Sequence, residues 1–274
     1  MSYSKSHVPF ISKVRRRGRI VAGRAYLTFR RRLSGRTLWV DHDCIRLPFH
    51  GDGDYQEVDY YLNAKMFWNY ELGVVSRYLC HGDVAVDVGA NMGFLAGMFS
   101  NLTGTAGHVY SFEPSPTTYV KLLEVIKANN YTNVSPFNMG CGGEDGLMTL
   151  YQPSSSGNAT LRPTAAMNAL ALKVQTVRIV KLDDFLAPKL ERLNFLKVDV
   201  EDYEDEVLAG AVGLLDRFKP VVYIELIQRN IASSKAAVQI LRDRGYTFDP
   251  EVTLEKDSDQ LNYFALPPGY QGRL

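Results

Sequence analysis

Hydrophobic positions along the chain form short apolar runs that are separated by stretches with helical spacing, a pattern typical of alternating strands and helices. The first clear unit begins with the apolar run Asp83–Val88, continues through a glycine-bearing turn, and leads into a segment with helical spacing that starts at Phe94. The sequence therefore predicts a strand, a tight turn and a helix in this part of the chain.

Similar units follow toward the carboxyl terminus. The further predicted strands are His108–Phe112, Val134–Asn138, Phe195–Val200 and Pro220–Leu226, and the helices are Tyr119–Ala128, Glu204–Leu215 and Ser233–Arg242. Additional β-structure is predicted at Gly146–Tyr151 and Val174–Leu182 around a polar tip, and at the sheet edge as an antiparallel hairpin of Tyr246–Asp249 and Leu261–Leu266. Because the central strands are apolar throughout and alternate with helices, the chain is predicted to be an α/β protein with a parallel sheet covered on both faces.

Ligands of such sheets bind beyond the carboxyl ends of the strands, so the residues at those ends are the candidates for a site. The first strand closes on Asp87, Gly89, Asn91 and Gly93, where glycines allow a sharp turn and a close approach to a ligand. The second strand closes on Glu113, 20 residues after Gly93. This is about the spacing at which an acidic side chain meets the hydroxyls of a ribose in dinucleotide-binding folds. The two strand ends predict a nucleoside pocket.

The order of the turn residues favours one kind of nucleoside. The glycines follow the pattern G-x-N-x-G, and Asp87 precedes the first of them by two residues. An acid at that place suits a cationic amino acid end better than a pyrophosphate. S-adenosylmethionine, which carries a sulfonium and an amino group and no phosphate, therefore fits better than a nicotinamide dinucleotide. A glycine turn that serves only as scaffold remains the alternative.

Charge is distributed unevenly along the chain. The 31 basic and 30 acidic residues give a net charge of +1, yet residues 1–40 hold eleven basic side chains and no acid. Residues 10–34 place Ala22, Tyr26, Phe29 and Leu33 at helical spacing among arginines, which predicts a basic amphipathic helix. Such a helix can lie on an anionic membrane, hold a phosphorylated or nucleic-acid partner, or pack on the core.

Composition limits the compartment and the domain organisation. Three separated cysteines form neither a disulfide framework nor a metal-binding knuckle, and no apolar run approaches the roughly 20 residues that span a bilayer. We expect a cytoplasmic protein, with peripheral membrane contact through residues 10–34 as an open alternative. The expected division is a basic helix with an aromatic cap over 1–66 and one domain over 67–274.

Several stretches of the chain, taken together, resemble one known family. The stretches are GDVAVDVGANMGF, VYSFEPSP, NMGCGGEDG, VKLDDFL, LKVDVEDYEDEVLAGA and KPVVYIEL. They resemble the FkbM-type methyltransferases, a branch of the class I S-adenosylmethionine-dependent enzymes, over roughly residues 68 to 226. The resemblance implies a Rossmann-like, seven-stranded, mostly parallel sheet with helices on both faces and an antiparallel edge strand. It also implies O-methylation of a hydroxyl on a sugar, a glycan or a secondary metabolite.

The resemblance also implies residue roles at matching positions. Asp87, Gly89, Asn91 and Gly93 would line the methionine end of the cofactor, and Glu113 would hold its ribose. Asn138, Gly140 and Cys141 would flank the adenine, although Cys141 can equally be a small buried residue. The family usually has a glycine where this chain has Asp202. Either this position does not need the conformational freedom of glycine, or an extra carboxylate faces the substrate.

Four charged residues near the ends of the fourth and fifth parallel strands are the candidates for catalysis. Strand alternation puts Lys197, Asp199 and Glu201 on one side, and Glu225 lies near the end of the next strand. Buried charges are costly unless they are paired or functional. We hypothesise that Asp199 or Glu201 is the base or orients the acceptor hydroxyl, and that Lys197 and Glu225 fix the geometry of these carboxylates. Lys197 as a simple counter-ion is the alternative. Carboxylates also suit Mg²⁺, but no histidine accompanies them in the sequence, and we assign no metal.

Three other function classes remain to be distinguished. A nucleic-acid methyltransferase would explain the basic arm, but no NPPY or DPPY signature follows the fourth strand, where KVDVEDYE stands. A nicotinamide-dependent oxidoreductase is disfavoured by the glycine spacing, and a non-catalytic binding module by the charges at the strand ends.

Overall fold

The computed structural model describes residues 38–42, 45–49, 67–153, 159–163, 172–226, 231–250, 252 and 261–272. The basic helix predicted over residues 10–34 lies outside the described residues, as does most of the aromatic cap. The proposed division at residue 66 therefore stays a prediction.

Twelve strands lie within the described residues. They are β1 (Leu38–His42), β2 (Ile45–Phe49), β3 (Val84–Val88), β4 (His108–Phe112), β5 (Val134–Phe137), β6 (Gly140–Cys141), β7 (Gly146–Pro153), β8 (Leu172–Val180), β9 (Phe195–Val198), β10 (Val221–Leu226), β11 (Thr247–Asp249) and β12 (Leu261–Leu266). The helices are α1 (Phe94–Thr103), α2 (Pro116–Ala128), α3 (Leu182–Leu186), α4 (Glu204–Ala209), α5 (Val212–Phe218) and α6 (Ile231–Arg242). Residues 67–75 are also helical.

Seven strands form the central sheet in the order β11-β12-β10-β9-β3-β4-β5. Strands β10, β9, β3, β4 and β5 run parallel to one another, which confirms the predicted α/β class. The antiparallel strand is β12, and it lies one position inside the edge, between β10 and β11. This placement has a physical reason: Tyr263 and Ala265 of β12 are buried, whereas Thr247 and Asp249 of the short strand β11 are exposed and suit an edge.

The single helix predicted over residues 204–215 is two short helices, α4 and α5. The break falls at Gly210, where a Cβ atom would lie 2.0 Å from the carbonyl oxygen of Gly142. The chain can pass this close to Gly142 only because Gly210 has no side chain. An isolated glycine inside a helical pattern does not reveal such a contact in the sequence.

Two smaller β-structures accompany the central sheet. The predicted additions form the antiparallel ribbon β7–β8, which β6 extends to three strands. The hairpin β1–β2 contributes the buried side chains of Ile45 and Leu47 to a cluster that includes Phe99 and Val109. Among the described residues, no helix is long and apolar enough to cross a bilayer.

Candidate active site

A row of polar side chains crosses one face of the sheet near the carboxyl ends of its strands. The strand register places Lys197 beside both Asp87 and Tyr223, and Asp87 beside Ser111. Registered neighbours on parallel strands point to the same face, and all four residues are buried. The next residues on this face are the functional candidates, since alternation continues it to Glu113, Asp199 and Glu225.

Lys197 is the hub of this row. Its Nζ donates to the carbonyl oxygens of Val88, at 3.2 Å, and Gly89, at 2.6 Å. The same atom lies 3.3 Å from Oδ1 of Asp87 and 3.6 Å from Oδ2 of Asp199. Complete burial raises the pKa of Asp87, and the ammonium of Lys197 opposes that rise. Lys197 therefore pairs with two carboxylates and fastens the glycine turn to the fourth parallel strand.

Three partly exposed carboxylates lie together just beyond Lys197. Asp199, Glu201 and Glu225 each offer one oxygen, and these oxygens all lie within 4.8 Å of one another. The side chain of Asp199 is 37% exposed, against 4% for Lys197. The structure thus brings together all four residues that the sequence proposes for catalysis. Partly exposed acids also cluster without an ion, and no metal is assigned to them.

The glycine turn is fixed by contacts within the protein. Gly89 has φ +77°, and a Cβ atom on it would lie 1.9 Å from the carbonyl oxygen of Asp199. Gly93 has φ +91°, and its Cβ would lie 2.6 Å from Cδ1 of Leu122. The sequence interpretation explains the sharp turn, but the empty Cβ positions face neighbouring protein atoms. Gly89 lets the end of β3 lie close to the backbone that follows β9, and Gly93 lets the start of α1 pack closely against α2.

Glu113 is buried at the end of β4, where it faces this turn. Its Oε2 accepts a hydrogen bond from the backbone N–H of Asn91 at 3.0 Å, and its Oε1 accepts one from that of Ser115 at 2.8 Å. Burial raises the pKa of Glu113 to about 7, although the two amides act in the opposite direction. A carboxylate can accept about four hydrogen bonds, so this one retains capacity for a ribose diol.

These features match one family of proteins. A family model described as the methyltransferase FkbM domain matches residues 87–248, more than half of the chain. The chain belongs to the FkbM methyltransferase family. Its cofactor is S-adenosylmethionine. The turn of Gly89, Asn91 and Gly93, the N-terminus of α1 without a side-chain cap and the buried carboxylate of Glu113 fit such a ligand.

Curated relatives of this FkbM methyltransferase include two informative proteins. Methyltransferase 1 of Beauveria bassiana is 32% identical over 143 residues, which cover 46% of this chain and 57% of the relative. Hexuronic acid methyltransferase AglP of Haloferax volcanii is 28% identical over 141 residues, covering 51% of this chain and 54% of the relative. The chain thus matches a little over half the length of each of these relatives.

One solved structure is a methyltransferase FkbM from Methylobacillus flagellatus, with 19% identity and a TM-score of 0.48. The alignment covers 77% of this chain and 53% of that one.

The three residues predicted to flank the adenine all have contacts within the FkbM domain. Nδ2 of the exposed Asn138 donates to the carbonyl oxygens of Glu113, at 2.9 Å, and Pro114, at 3.1 Å. A Cβ on Gly140 would lie 2.7 Å from Cδ1 of Ile179. Cys141 is buried in the core, which raises the pKa of its thiol. These contacts give each of the three residues a structural role within the protein. Their proposed contacts with the adenine stay predictions.

Glu204 is a buried acid that the sequence interpretation did not select. Its Oε1 accepts from the backbone N–H of Val200 at 3.2 Å. Burial, and then the charges of Asp199 and Asp202, raise its pKa to about 8. Glu204 is the first of three consecutive acids in the first turn of α4. Acids are favoured in the first turn of a helix, so this run was the only signal in the sequence that could have pointed to Glu204. Nothing in that run shows which of the three acids is buried.

Asp202 occupies the position where the family usually has glycine. Its φ is +78°, and the preceding Glu201 has φ +56°. The backbone here is therefore in the left-handed region that favours glycine, and this chain has an aspartate in it. Asp202 is 4% exposed and raises the pKa of Glu204 through its charge. Whether it also meets the substrate stays a prediction.

The backbone at this position predicts a measurable difference between two variants. Asp202→Gly and Asp202→Ala both remove the carboxylate, but only alanine keeps a Cβ at φ +78°. We expect the glycine variant to be the more stable by about 1 kcal/mol in free energy of unfolding, because a left-handed L-residue costs roughly that amount. Urea denaturation of both variants measures the difference. Equal stabilities would contradict a left-handed residue 202.

The raised pKa of Glu113 predicts a pH dependence for cofactor binding. Only the ionised carboxylate accepts from both ribose hydroxyls, so affinity is expected to be high above pH 7 and to fall as pH drops through about 7. The loss approaches tenfold for each pH unit below that value. Calorimetry with S-adenosylhomocysteine from pH 5.5 to 8.5 measures it. Glu113→Gln, which cannot ionise, should bind more weakly and without this dependence, and a flat wild-type profile would contradict the ribose contact.

Proposed function

We propose that this chain transfers the methyl group of S-adenosylmethionine to a hydroxyl oxygen of a sugar, a glycan or a secondary metabolite. The observation that carries the proposal is the partly exposed carboxylate of Asp199, held 3.6 Å from the buried ammonium of Lys197 and grouped with Glu201 and Glu225. A hydroxyl must lose its proton as it becomes an ether, and this edge of the sheet offers a carboxylate that can take it.

Each group of the cluster has a proposed role. The cofactor supplies a methyl group that is activated by a sulfonium. Asp199 takes the proton as the hydroxyl oxygen bonds to the methyl carbon and the carbon–sulfur bond breaks. Lys197 holds the Asp199 side chain in place through its ammonium, 3.6 Å away, while Glu201 and Glu225 orient the acceptor through neighbouring hydroxyls. A positioned base typically contributes 10²–10⁴-fold to the rate.

The arrangement also supports rate enhancement by orientation. Lys197 bonds the carbonyls of the glycine turn and approaches Asp199 with the same nitrogen, so the cofactor turn and the base are held in a fixed relation. Holding two reactants in line can supply up to ~7–11 kcal/mol of a barrier. The name of the Haloferax volcanii relative, which specifies a hexuronic acid, favours a carbohydrate acceptor.

Binding and transfer assays test the proposal. Calorimetry should detect binding of S-adenosylhomocysteine and no binding of NAD. Tritiated S-adenosylmethionine should label at least one acceptor among D-glucuronic acid, methyl glucosides and small polyols, and the label should survive mild alkali, because ethers resist it. Alkali-labile label would indicate carboxyl methylation and contradict the hydroxyl acceptor. The same assay is run with tRNA as acceptor. Labelling confined to tRNA would support the nucleic-acid alternative instead.

A further inference from the structure

The segment 159–163, between β7 and β8, lies against the residues that carry the catalytic carboxylates. Thr160 is 5% exposed and forms two backbone hydrogen bonds with Tyr151 of β7, both 2.9 Å long. Its hydroxyl Oγ1 donates to the carbonyl oxygen of Glu201 at 2.6 Å. The ribbon is thus attached directly to the loop that follows β9.

Arg162 makes the second attachment. Its Nη1 donates to the carbonyl oxygen of Asp202 at 3.2 Å and lies 2.7 Å from Oδ1 of Asp205. Its Nη2 lies 3.1 Å from Oε1 of Glu206, and its guanidinium stacks over the ring of Tyr203 at 4.8 Å. A planar guanidinium bound in this way has little freedom to move.

The two attachments meet the two left-handed residues of the loop. Glu201 and Asp202 have consecutive positive φ angles of 56° and 78°, and each of their carbonyl oxygens accepts one hydrogen bond from segment 159–163. Consecutive left-handed residues other than glycine persist only where the surroundings hold them. This backbone also sets the direction of the Glu201 side chain toward Asp199 and Glu225.

We propose that Thr160 and Arg162 are positioning residues, which hold the Glu201 carboxylate in the acceptor site by fixing the backbone at 201 and 202. The inference rests on the proposed function, because it concerns the same carboxylates. Neither residue needs to touch the acceptor. The segment 159–163 thereby supports the proposed acceptor site from outside it.

Variants of Thr160 test the inference. Thr160→Val removes the hydroxyl at nearly constant volume and is expected to lower kcat about tenfold on the best acceptor of the sugar panel, because small misplacements at a reacting centre are costly. The dissociation constant of S-adenosylhomocysteine should stay within about twofold, since the cofactor turn is not involved. Thr160→Ser, which keeps the hydroxyl, should recover most of the rate. Thr149→Val, at an exposed position of β7, is the matched control and should leave kcat unchanged.

A double-mutant cycle separates positioning from a general loss of structure. If Thr160 acts through Glu201, then Thr160→Val should have little further effect on kcat in the Glu201→Gln background. The inference is overturned if the losses in kcat are additive. It is also overturned if Thr160→Ser is as slow as Thr160→Val. Arg162→Lys gives a second variant, which keeps the positive charge but loses the planar guanidinium with its paired N–H donors. It should also have little further effect on kcat in the Glu201→Gln background.

Failure of the proposed function is distinguishable from failure of this inference. If the wild-type chain labels no acceptor, the proposed function fails, and the inference is then judged on crystal structures with S-adenosylhomocysteine. Displacement of the Glu201 backbone by about 1 Å or more in the Thr160→Val structure supports the positioning role. An unchanged Glu201 overturns it.

Discussion

Replacing Asp199 by asparagine is expected to lower kcat by about 10²–10⁴-fold, because the amide keeps the shape of the side chain and cannot accept the proton of the acceptor hydroxyl. The fold should persist, since Lys197 remains 3.3 Å from Asp87 and bonded to the two carbonyls of the turn. Affinity for S-adenosylhomocysteine should therefore change little. Steady-state rates with a labelled cofactor, alongside calorimetry, measure both quantities.

The control for Asp199 is the same substitution at an exposed acid of α3. Asp184→Asn removes one negative charge from an exposed side chain that is not a member of the carboxylate cluster, and it should leave kcat unchanged. Wild-type turnover by Asp199→Asn would exclude Asp199 as the base. Glu201 would then be the remaining candidate that the sequence proposed.

Replacing Gly89 by alanine is expected to cost roughly 3 kcal/mol or more in free energy of unfolding and to abolish cofactor binding. The new Cβ would lie 1.9 Å from the carbonyl oxygen of Asp199, so β3 and β9 would have to separate at the site itself. Overpacking typically costs 1–3 kcal/mol, and the left-handed φ of +77° adds about 1 kcal/mol. Denaturant unfolding and calorimetry with S-adenosylhomocysteine measure the two effects.

Gly269 offers a matched control for this substitution. It has the same φ of +77°, but no heavy atom of a neighbour lies within 4 Å of its Cβ position. Gly269→Ala should therefore lose only the backbone cost of about 1 kcal/mol. Equal losses at the two positions would show that the close approach of Asp199 contributes nothing.

The main sheet was predictable because its strands are short apolar runs with helices between them. The antiparallel hairpin of β11 with β12 and the parallel run of the central strands, both predicted from that pattern, are confirmed. The position of β12 inside the edge was not predictable, because the order of two adjacent strands depends on which one buries more apolar surface. The break between α4 and α5 was missed for a similar reason, since the close approach of Gly210 to Gly142 is a tertiary contact.

The site was predictable where strand ends carry it and unpredictable where distant segments meet. Asp199 directly follows β9 and Glu225 lies near the end of the neighbouring strand β10, so the sequence shows that both are at the same edge of the sheet, whereas their common face depends on the register. Thr160 and Arg162 lie about 40 residues from the loop that they contact. A threonine and an arginine beside a polar tip have no spacing that signals this role, and only the folded chain reveals it.

The position of Lys197 limits how this enzyme can change over time. One ammonium lies between the wholly buried Asp87 and the partly exposed Asp199, so a neutral residue at position 197 would leave both carboxyl groups without their shared cation. A lineage that lost the lysine would need to lose the Asp87 carboxylate at nearly the same moment. We expect substitutions at positions 87 and 197 to occur together in related functional sequences. The partly exposed carboxylates of the cluster are expected to vary independently, according to the acceptor.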